Sequence, residues 1–191
     1  MKVGFVGLGN MGYNMVHNLI KNGFEVYTYD VFPAAIQRTE EIGAHGVHSL
    51  KELADAADVI QVMVMNYQQV QSVVLAEDGL MSYMKEGSIL CVSSTISPAQ
   101  TREVAETVAK RGIRYVDCPV SGGKTGAING ELIIMAACDD DVFDTVHDMF
   151  LAMGKHATYH VSTLIGNGQV MKSINQVMIS TGMAIAAEAV T

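Results

Sequence analysis

The sequence has no tryptophan, only three prolines and only three cysteines in 191 residues. Cys91, Cys118 and Cys138 are odd in number, lie far apart and form no C-x-x-C pair. This argues against a disulfide framework and for buried thiols in a reducing compartment, the cytoplasm. Charge is also scarce, at 17% of residues, and 12 Lys and Arg face 20 Asp and Glu for a net charge of −8. Such a chain lacks the clustered cations that nucleic acid or an anionic membrane requires. No stretch reaches the roughly 20 uninterrupted apolar residues of a membrane span. The opening MKVGFVGLGNMG is too short in its apolar run, and too broken by glycine, for a signal peptide. The apolar fraction, 49%, suffices for one generous core.

Short apolar runs alternate with helical patterns along the chain. Strands are predicted at Val3–Val6, Glu25–Tyr29, Ala44–Val47, Asp58–Met65, Ile89–Val92, Arg114–Cys118, Leu132–Ala136 and His156–His160. Helices are predicted at Met11–Asn22, Pro33–Ile42, Ser49–Ala57, Pro98–Arg111 and Asp140–Ala152, with helical turns at Val70–Leu75 and Leu80–Met84. Ser49 with Glu52 predicts a capping box, and Ser97 before Pro98 a helix N-cap. Continuous apolar strands alternating with helices imply a mostly parallel sheet covered on both faces, a doubly wound Rossmann-type α/β fold. The segment Val120–Gly130, rich in glycine and small residues, is read as a functional loop. At Gly166 the character changes: a long helical pattern begins and runs to Thr191. The expected division is residues 1–165 as one domain and 166–191 as the start of an interdomain helix.

GLGNMG, spanning Gly7, Leu8, Gly9, Asn10, Met11 and Gly12, follows a predicted strand and opens a predicted helix. That is the setting of a dinucleotide-binding turn. Gly7 permits the tight turn, Gly9 lets backbone approach a pyrophosphate, and Gly12 allows close packing. The following helix presents unpaired N–H groups to the anion. The second strand ends in Asp30, where a carboxylate can hold the ribose hydroxyls. Val31 and Phe32 follow it, and Arg38 is the nearest cation beyond, so the motif favours NAD over NADP.

Three more segments fall at carboxyl ends of strands, where doubly wound sheets bind ligands. Met63, Val64 and Asn66 could line the nicotinamide side. SSTISP, Ser93–Pro98, offers hydroxyls and amides for cofactor or substrate oxygens. PVSGG places Ser121, Gly122 and Gly123 where backbone N–H groups and a hydroxyl could grip a carboxylate. Each has a plainer reading as a turn or cap. Lys172 begins the last helix, with Asn175 and Gln176 one turn on and on its face. A lysine desolvated in a cleft exchanges protons near neutral pH; from the helix alone, a solvated surface lysine is the simpler reading. No metal site is expected: His45 and His48 fall on opposite strand faces, and His156 and His160 would sit about 13 Å apart.

The order of GFVGLGNMG, SSTISP, DCPVSGGKTGAINGEL and GNGQVMKSINQ followed by AAEA resembles the β-hydroxyacid dehydrogenase family, which includes 3-hydroxyisobutyrate dehydrogenase. The resemblance covers essentially the whole chain. It implies NAD(P) binding by the first domain, a cofactor contact from Thr95 and a carboxylate grip by Ser121–Gly123. It further implies Lys172 as catalytic acid–base, with Asn175 or Gln176 positioning a small hydroxyacid. Many members carry an aspartate where this chain has Val92. With the VMN segment and the INQ run, that variant looks most like the L-threonate dehydrogenase branch. The family continues for roughly another hundred residues as a helical domain that completes the cleft and the dimer, and this sequence does not contain it. A homo-oligomer formed through the last helix and that domain is therefore expected. Two alternatives stay open: a stand-alone nucleotide-binding or dimerisation module, and a same-fold reductase of glyoxylate, semialdehyde or imine substrates.

Overall fold

The computed structural model of the chain describes residues 1–190; the last residue of the predicted 166–191 segment, Thr191, lies outside them. Among the described residues nine strands form one sheet: β1 (Lys2–Val6), β2 (Glu25–Tyr29), β3 (His45–Gly46), β4 (Val59–Val62), β5 (Ile89–Val92), β6 (Arg114–Asp117), β7 (Val120–Ser121), β8 (Ile133–Ala137) and β9 (Thr158–Ser162). The order is β3-β2-β1-β4-β5-β6-β8-β7, with β9 on the other edge of β8. The six strands from β3 to β6 are parallel, and β8 runs antiparallel to β6. This is the doubly wound arrangement, with its reversal of strand order beside β1.

The helices are α1 (Gly12–Lys21), α2 (Pro33–Glu40), α3 (Leu50–Ala56), α4 (Tyr67–Val74), α5 (Leu80–Tyr83), α6 (Pro98–Ala109), α7 (Gly123–Asn129), α8 (Asp140–Met153) and α9 (Asn167–Ala189). Two apolar clusters cover the sheet. One joins β1 with α1 and α8 around Phe5, Met15, Leu19, Met149 and Phe150; the other joins β4 and β5 with α3 to α6 around Ile60, Leu53, Leu80 and Val104. All four residues of β4 and of β5 are buried, as strands covered on both faces must be.

Local chemistry explains the boundaries. Ser97 makes a full capping box with Gln100, and Pro98 supplies the first helical position. At α3 the box is shifted: Ser49 accepts from the Glu52 N–H, but the Glu52 carboxylate accepts from His48 N–H rather than from Ser49. Two predictions need correction. The strand predicted at Asp58–Met65 spans only Val59–Val62, where its pairing with β1 and β5 ends, and Met63 then packs beside Gly7. The segment predicted as the loop Val120–Gly130 contains β7 and α7. Gly122 and Gly130 bracket that short helix at φ 119° and 65°, and the Asn18 side chain donates to the Ala127 carbonyl at 2.6 Å.

α9 starts at Gly166, whose φ of 100° turns the chain out of the sheet. Its first two turns pack on β6, β8 and α6, while Val177, Met178, Met183 and Ile185 stand 65–69% exposed. No described helix is long and apolar enough to cross a membrane.

Candidate active site

In the β1–α1 turn the three glycines have different surroundings. Gly7 has φ +93°, and a Cβ there would sit 2.2 Å from the Met63 carbonyl oxygen. A Cβ on Gly12 would sit 1.8 Å from the Gly7 oxygen, so the helix can approach the turn only without one. A Cβ on Gly9 would meet nothing within 4 Å, so its bare face is open to a ligand. No side chain caps α1, and no acidic residue occupies its first turn. The free N–H groups and positive dipole end are left for an anion. The turn fits the pyrophosphate of a dinucleotide.

Asp30 ends β2 beside this turn. Its Oδ2 accepts from Leu8 N–H at 2.7 Å and its Oδ1 from Phe32 N–H at 3.0 Å. The carboxylate thus holds the phosphate turn in place and still borders a cleft of about 340 Å³. Gly7, Gly9, Tyr29, Val31, Phe32 and Met63–Met65 line that cleft. Val31 and Phe32 are each 70% exposed and Met65 84%, forming apolar walls suited to a flat ring. Arg38 is engaged elsewhere, stacked 4.6 Å from the Tyr13 ring centroid. We expect Asp30→Ser to weaken NAD binding about tenfold and to narrow discrimination against NADP, by losing ribose hydrogen bonds and the repulsion of a 2′-phosphate. Paired calorimetric titrations with NAD and NADP measure both changes.

Further along the carboxyl ends, the residues divide. Asn66 caps α4, its Oδ1 accepting from Gln69 N–H at 3.0 Å. The hydroxyls of Ser93 and Ser94, expected to face ligand, are buried and engaged within the protein. Ser93 donates to the Cys118 carbonyl and accepts from Gln61, while Ser94 accepts from Val64 N–H. Thr95 alone of that trio is exposed. Gly122 and Gly123 are exposed, and the buried Ser121 donates to Asn175 Oδ1 at 2.8 Å.

Lys172 is not the surface lysine that the helix alone suggested: it is 9% exposed. Burial holds its amine below the usual lysine range, and no opposing charge offsets that effect. Asn175, one turn on, reaches Ser121, whereas Gln176 is exposed to solvent. Gln169, Lys172 and Asn175 therefore face the strand ends, and Gln176, also on the lysine's face, extends past them into solvent.

Two residues of this region carry no sequence expectation. Asp117 ends β6 fully buried, and Gln169 is 1% exposed in the first turn of α9. Burial raises the Asp117 carboxyl from the ordinary 3.8 to about 6, against donors from Gln169 and Gly166 that favour its charged form. With the folded-state value above the unfolded one, this group's contribution to stability is fully present below about pH 3.8 and is lost as pH rises through about 6. Relative to Asp117→Asn, the chain should lose about 3 kcal/mol of stability between acidic and neutral pH, measured by urea unfolding across that window. Two signals hinted at these residues: a carboxylate closing an apolar strand, and an amide on the lysine's stripe.

A larger cavity, about 610 Å³, opens between α6 and the turn before α9, lined by Arg102, Arg114, Leu164 and Asn167 among others. None of the predicted site residues borders it. All three cysteines are buried free thiols, and burial pushes Cys138 up to about 12, so it is no nucleophile. Among the described residues, no group of three His, Cys, Asp or Glu could hold a metal ion.

Residues 2–166 match the family model of the NAD binding domain of 6-phosphogluconate dehydrogenase. The chain belongs to this family. Within it, the chain is 36% identical over 189 residues to 2-(hydroxymethyl)glutarate dehydrogenase of Eubacterium barkeri, covering 99% of the chain and 62% of that protein. It is 35% identical to 2-hydroxy-3-oxopropionate reductase of Escherichia coli, covering 99% and 64%. The crystal structure of 3-hydroxyisobutyrate dehydrogenase from Salmonella typhimurium superposes with a TM-score of 0.89 at 33% identity, covering 99% of the chain and 66% of that one. These matches show a likeness to β-hydroxyacid dehydrogenases over nearly the whole chain. The chain spans less than two thirds of the length of the curated relatives compared.

Proposed function

We propose that the chain binds NAD and serves the oxidation or reduction of a small 3-hydroxyacid, with Lys172 as proton acceptor and donor. The observation that carries this reading is the buried, uncompensated amine of Lys172, set one turn before the Asn175–Ser121 hydrogen bond. NAD, when bound, supplies a nicotinamide able to accept or return hydride. The chain's own groups do the rest. Gly9 and the open end of α1 receive the pyrophosphate, Asp30 the ribose, and Leu8, Asn10 and Met11 present backbone to it. Met63, Val64, Asn66 and Thr95 border the nicotinamide end. Ser121, Gly122 and Gly123 hold the substrate carboxylate, and Asn175 orients the hydroxyl. A neutral Lys172 amine takes the hydroxyl proton during oxidation and returns it during reduction.

In this reading residues 1–165 are the cofactor domain, and α9 leads from it toward the part that completes the substrate cleft and a homo-oligomer. A short hydroxyacid of the L-threonate type is favoured by the VMN and INQ segments, and the buried free thiols suit the cytoplasm. The test is a panel of 3-hydroxyacids, semialdehydes and cyclic imines, followed by nicotinamide absorbance in the protein extended to its relatives' length. Turnover of hydroxyacids with NAD is expected; turnover of imines alone would contradict the reading.

A further inference from the structure

We propose that Asp117 and Gln169 are positioning residues, which lock the first turn of α9 to the end of β6 and the loop after β5 and so set where the Lys172 amine sits. This rests on the reading of Lys172 as the acid–base group.

The lock is a closed set of hydrogen bonds. Asp117 Oδ2 accepts from Gly166 N–H at 3.0 Å and from Gln169 N–H at 3.2 Å, which satisfies the start of the helix. Asp117 Oδ1 accepts from Gln169 Nε2 at 2.9 Å. The same nitrogen donates to the Ser94 carbonyl at 3.1 Å, and Gln169 Oε1 accepts from Ile96 N–H at 3.2 Å. Ser94 in turn accepts from Val64 N–H at 2.9 Å through its hydroxyl. The chain of contacts therefore runs from β6 through α9 to the loops that border the cofactor cleft.

The polarity of this set permits one arrangement. An ionised Asp117 only accepts, so the nitrogen of the Gln169 amide must face it. The amide oxygen must then face Ile96. Turning the amide over would set donor against donor at Ile96 and acceptor against acceptor at Asp117. The seat beneath it is equally confined: a Cβ on Gly168 would lie 2.6 Å from the Met135 oxygen and 2.9 Å from Asp117 Oδ2.

Position follows from helix geometry. Gln169, Lys172 and Asn175 lie at successive three-residue steps, about 4.5 Å apart along the axis. Gln169 is fixed at one end of the stripe, and Asn175 is fixed by Ser121 at the other. Lys172 is held between them. A serine or asparagine cap would satisfy the helix end without burying a charge. Burying a carboxylate is costly, and the defined geometry it enforces is the return on that cost.

The test uses Gln169→Met, which keeps the volume and removes the side-chain hydrogen bonds, and Asp117→Asn, which keeps the shape and removes the charge. The first readout is the titration of the Lys172 amine in ¹³C-lysine-labelled chain, assigned by its absence in Lys172→Ala. The second is kcat and NAD affinity in the protein extended to its relatives' length. Both variants should fold at neutral pH with the Lys172 titration shifted upward toward that of free lysine. Their kcat should fall about 10²-fold while NAD affinity stays within about twofold. A purely structural role predicts a lower melting temperature with the Lys172 titration and kcat of the folded fraction unchanged, and that result overturns the proposal. Should both variants fail to fold, hydrogen exchange on the unaltered chain decides. The lock requires the Gly166, Gln169 and Ile96 amides to open together as one unit, and independent exchange of Ile96 refutes it. If Lys172→Ala retained full turnover, the acid–base reading would fall, while the titration shift would still report separately on the lock.

Discussion

Replacing Lys172 by alanine should lower kcat for hydroxyacid oxidation by about 10²- to 10⁴-fold, the usual worth of a positioned acid–base group, and leave NAD affinity unchanged within about twofold. The reasoning starts from burial. At 9% exposure and without an opposing charge, the amine loses hydration, and its charged form is disfavoured. Its neutral form is then populated at lower pH than in a surface lysine, so it can take a proton from a hydroxyl. Lys172→Arg should be nearly as damaged, because a guanidinium cannot release its proton in this range. The pair separates proton transfer from charge: a mere electrostatic role for Lys172 would let arginine rescue. Steady-state kinetics in the protein extended to its relatives' length, with calorimetry for NAD, reads both quantities.

The second large effect contrasts two glycines of one turn. Gly7→Ala should destabilise the fold by roughly 3 kcal/mol, since a left-handed residue with a Cβ costs about 1–2 kcal/mol before any clash is counted. The clash is real: the new Cβ falls 2.2 Å from the Met63 oxygen, so the backbone of one loop or the other must move. A melting temperature lower by about 10 °C is the expected reading. Gly9→Ala should leave the melting temperature within about 1–2 °C of the parent, because its Cβ meets nothing in the folded chain. It should nonetheless weaken NAD binding about 100-fold, since the methyl occupies the face a pyrophosphate must approach. One substitution damages the fold, the other the ligand site.

How much was legible in the sequence depends on the range of the interaction. The turn at Gly7 and the close helix approach at Gly12 were legible because both are local demands. The alternation of strand and helix was legible because the apolar periods are local too. The start of α6 was legible from Ser97 and Pro98 side by side. The end of β4 was not: Met63–Met65 are apolar like the strand before them, and their partners past Val62, Gly7 and Ser94, lie in other loops. Helix α7 was hidden because its seven residues are glycine-rich, and its support comes from Asn18, more than a hundred positions earlier. The burial of Ser93 and Ser94 was hidden because their partners, Cys118, Gln61 and Val64, belong to other strands and loops. Lys172 looked like a surface residue on its own helix, and its desolvation comes from elements that the helix does not contain. Asp117 and Gln169, 52 positions apart, carried no pairing signal at all.

The two proposed roles occupy different parts of the chain. The nucleotide recognition we propose is concentrated in the β1–α1 turn and Asp30, within residues 2–166 that match the NAD-binding family. The proposed chemistry sits at the junction of β6, β7 and α9, with Ser121 inside that segment and Lys172 and Asn175 past it. Hydrogen bonds of Ser94 to Val64 and to Gln169 link the two regions.

The central claim is that this chain carries an NAD site built on Gly9 and Asp30. Calorimetric titration of the purified 191-residue chain with NAD tests it most directly. A single saturable site is predicted, weakened about 100-fold in Gly9→Ala while that variant keeps the parent's melting temperature. Absence of binding heat, or an equal response from Gly9→Ala, would contradict it.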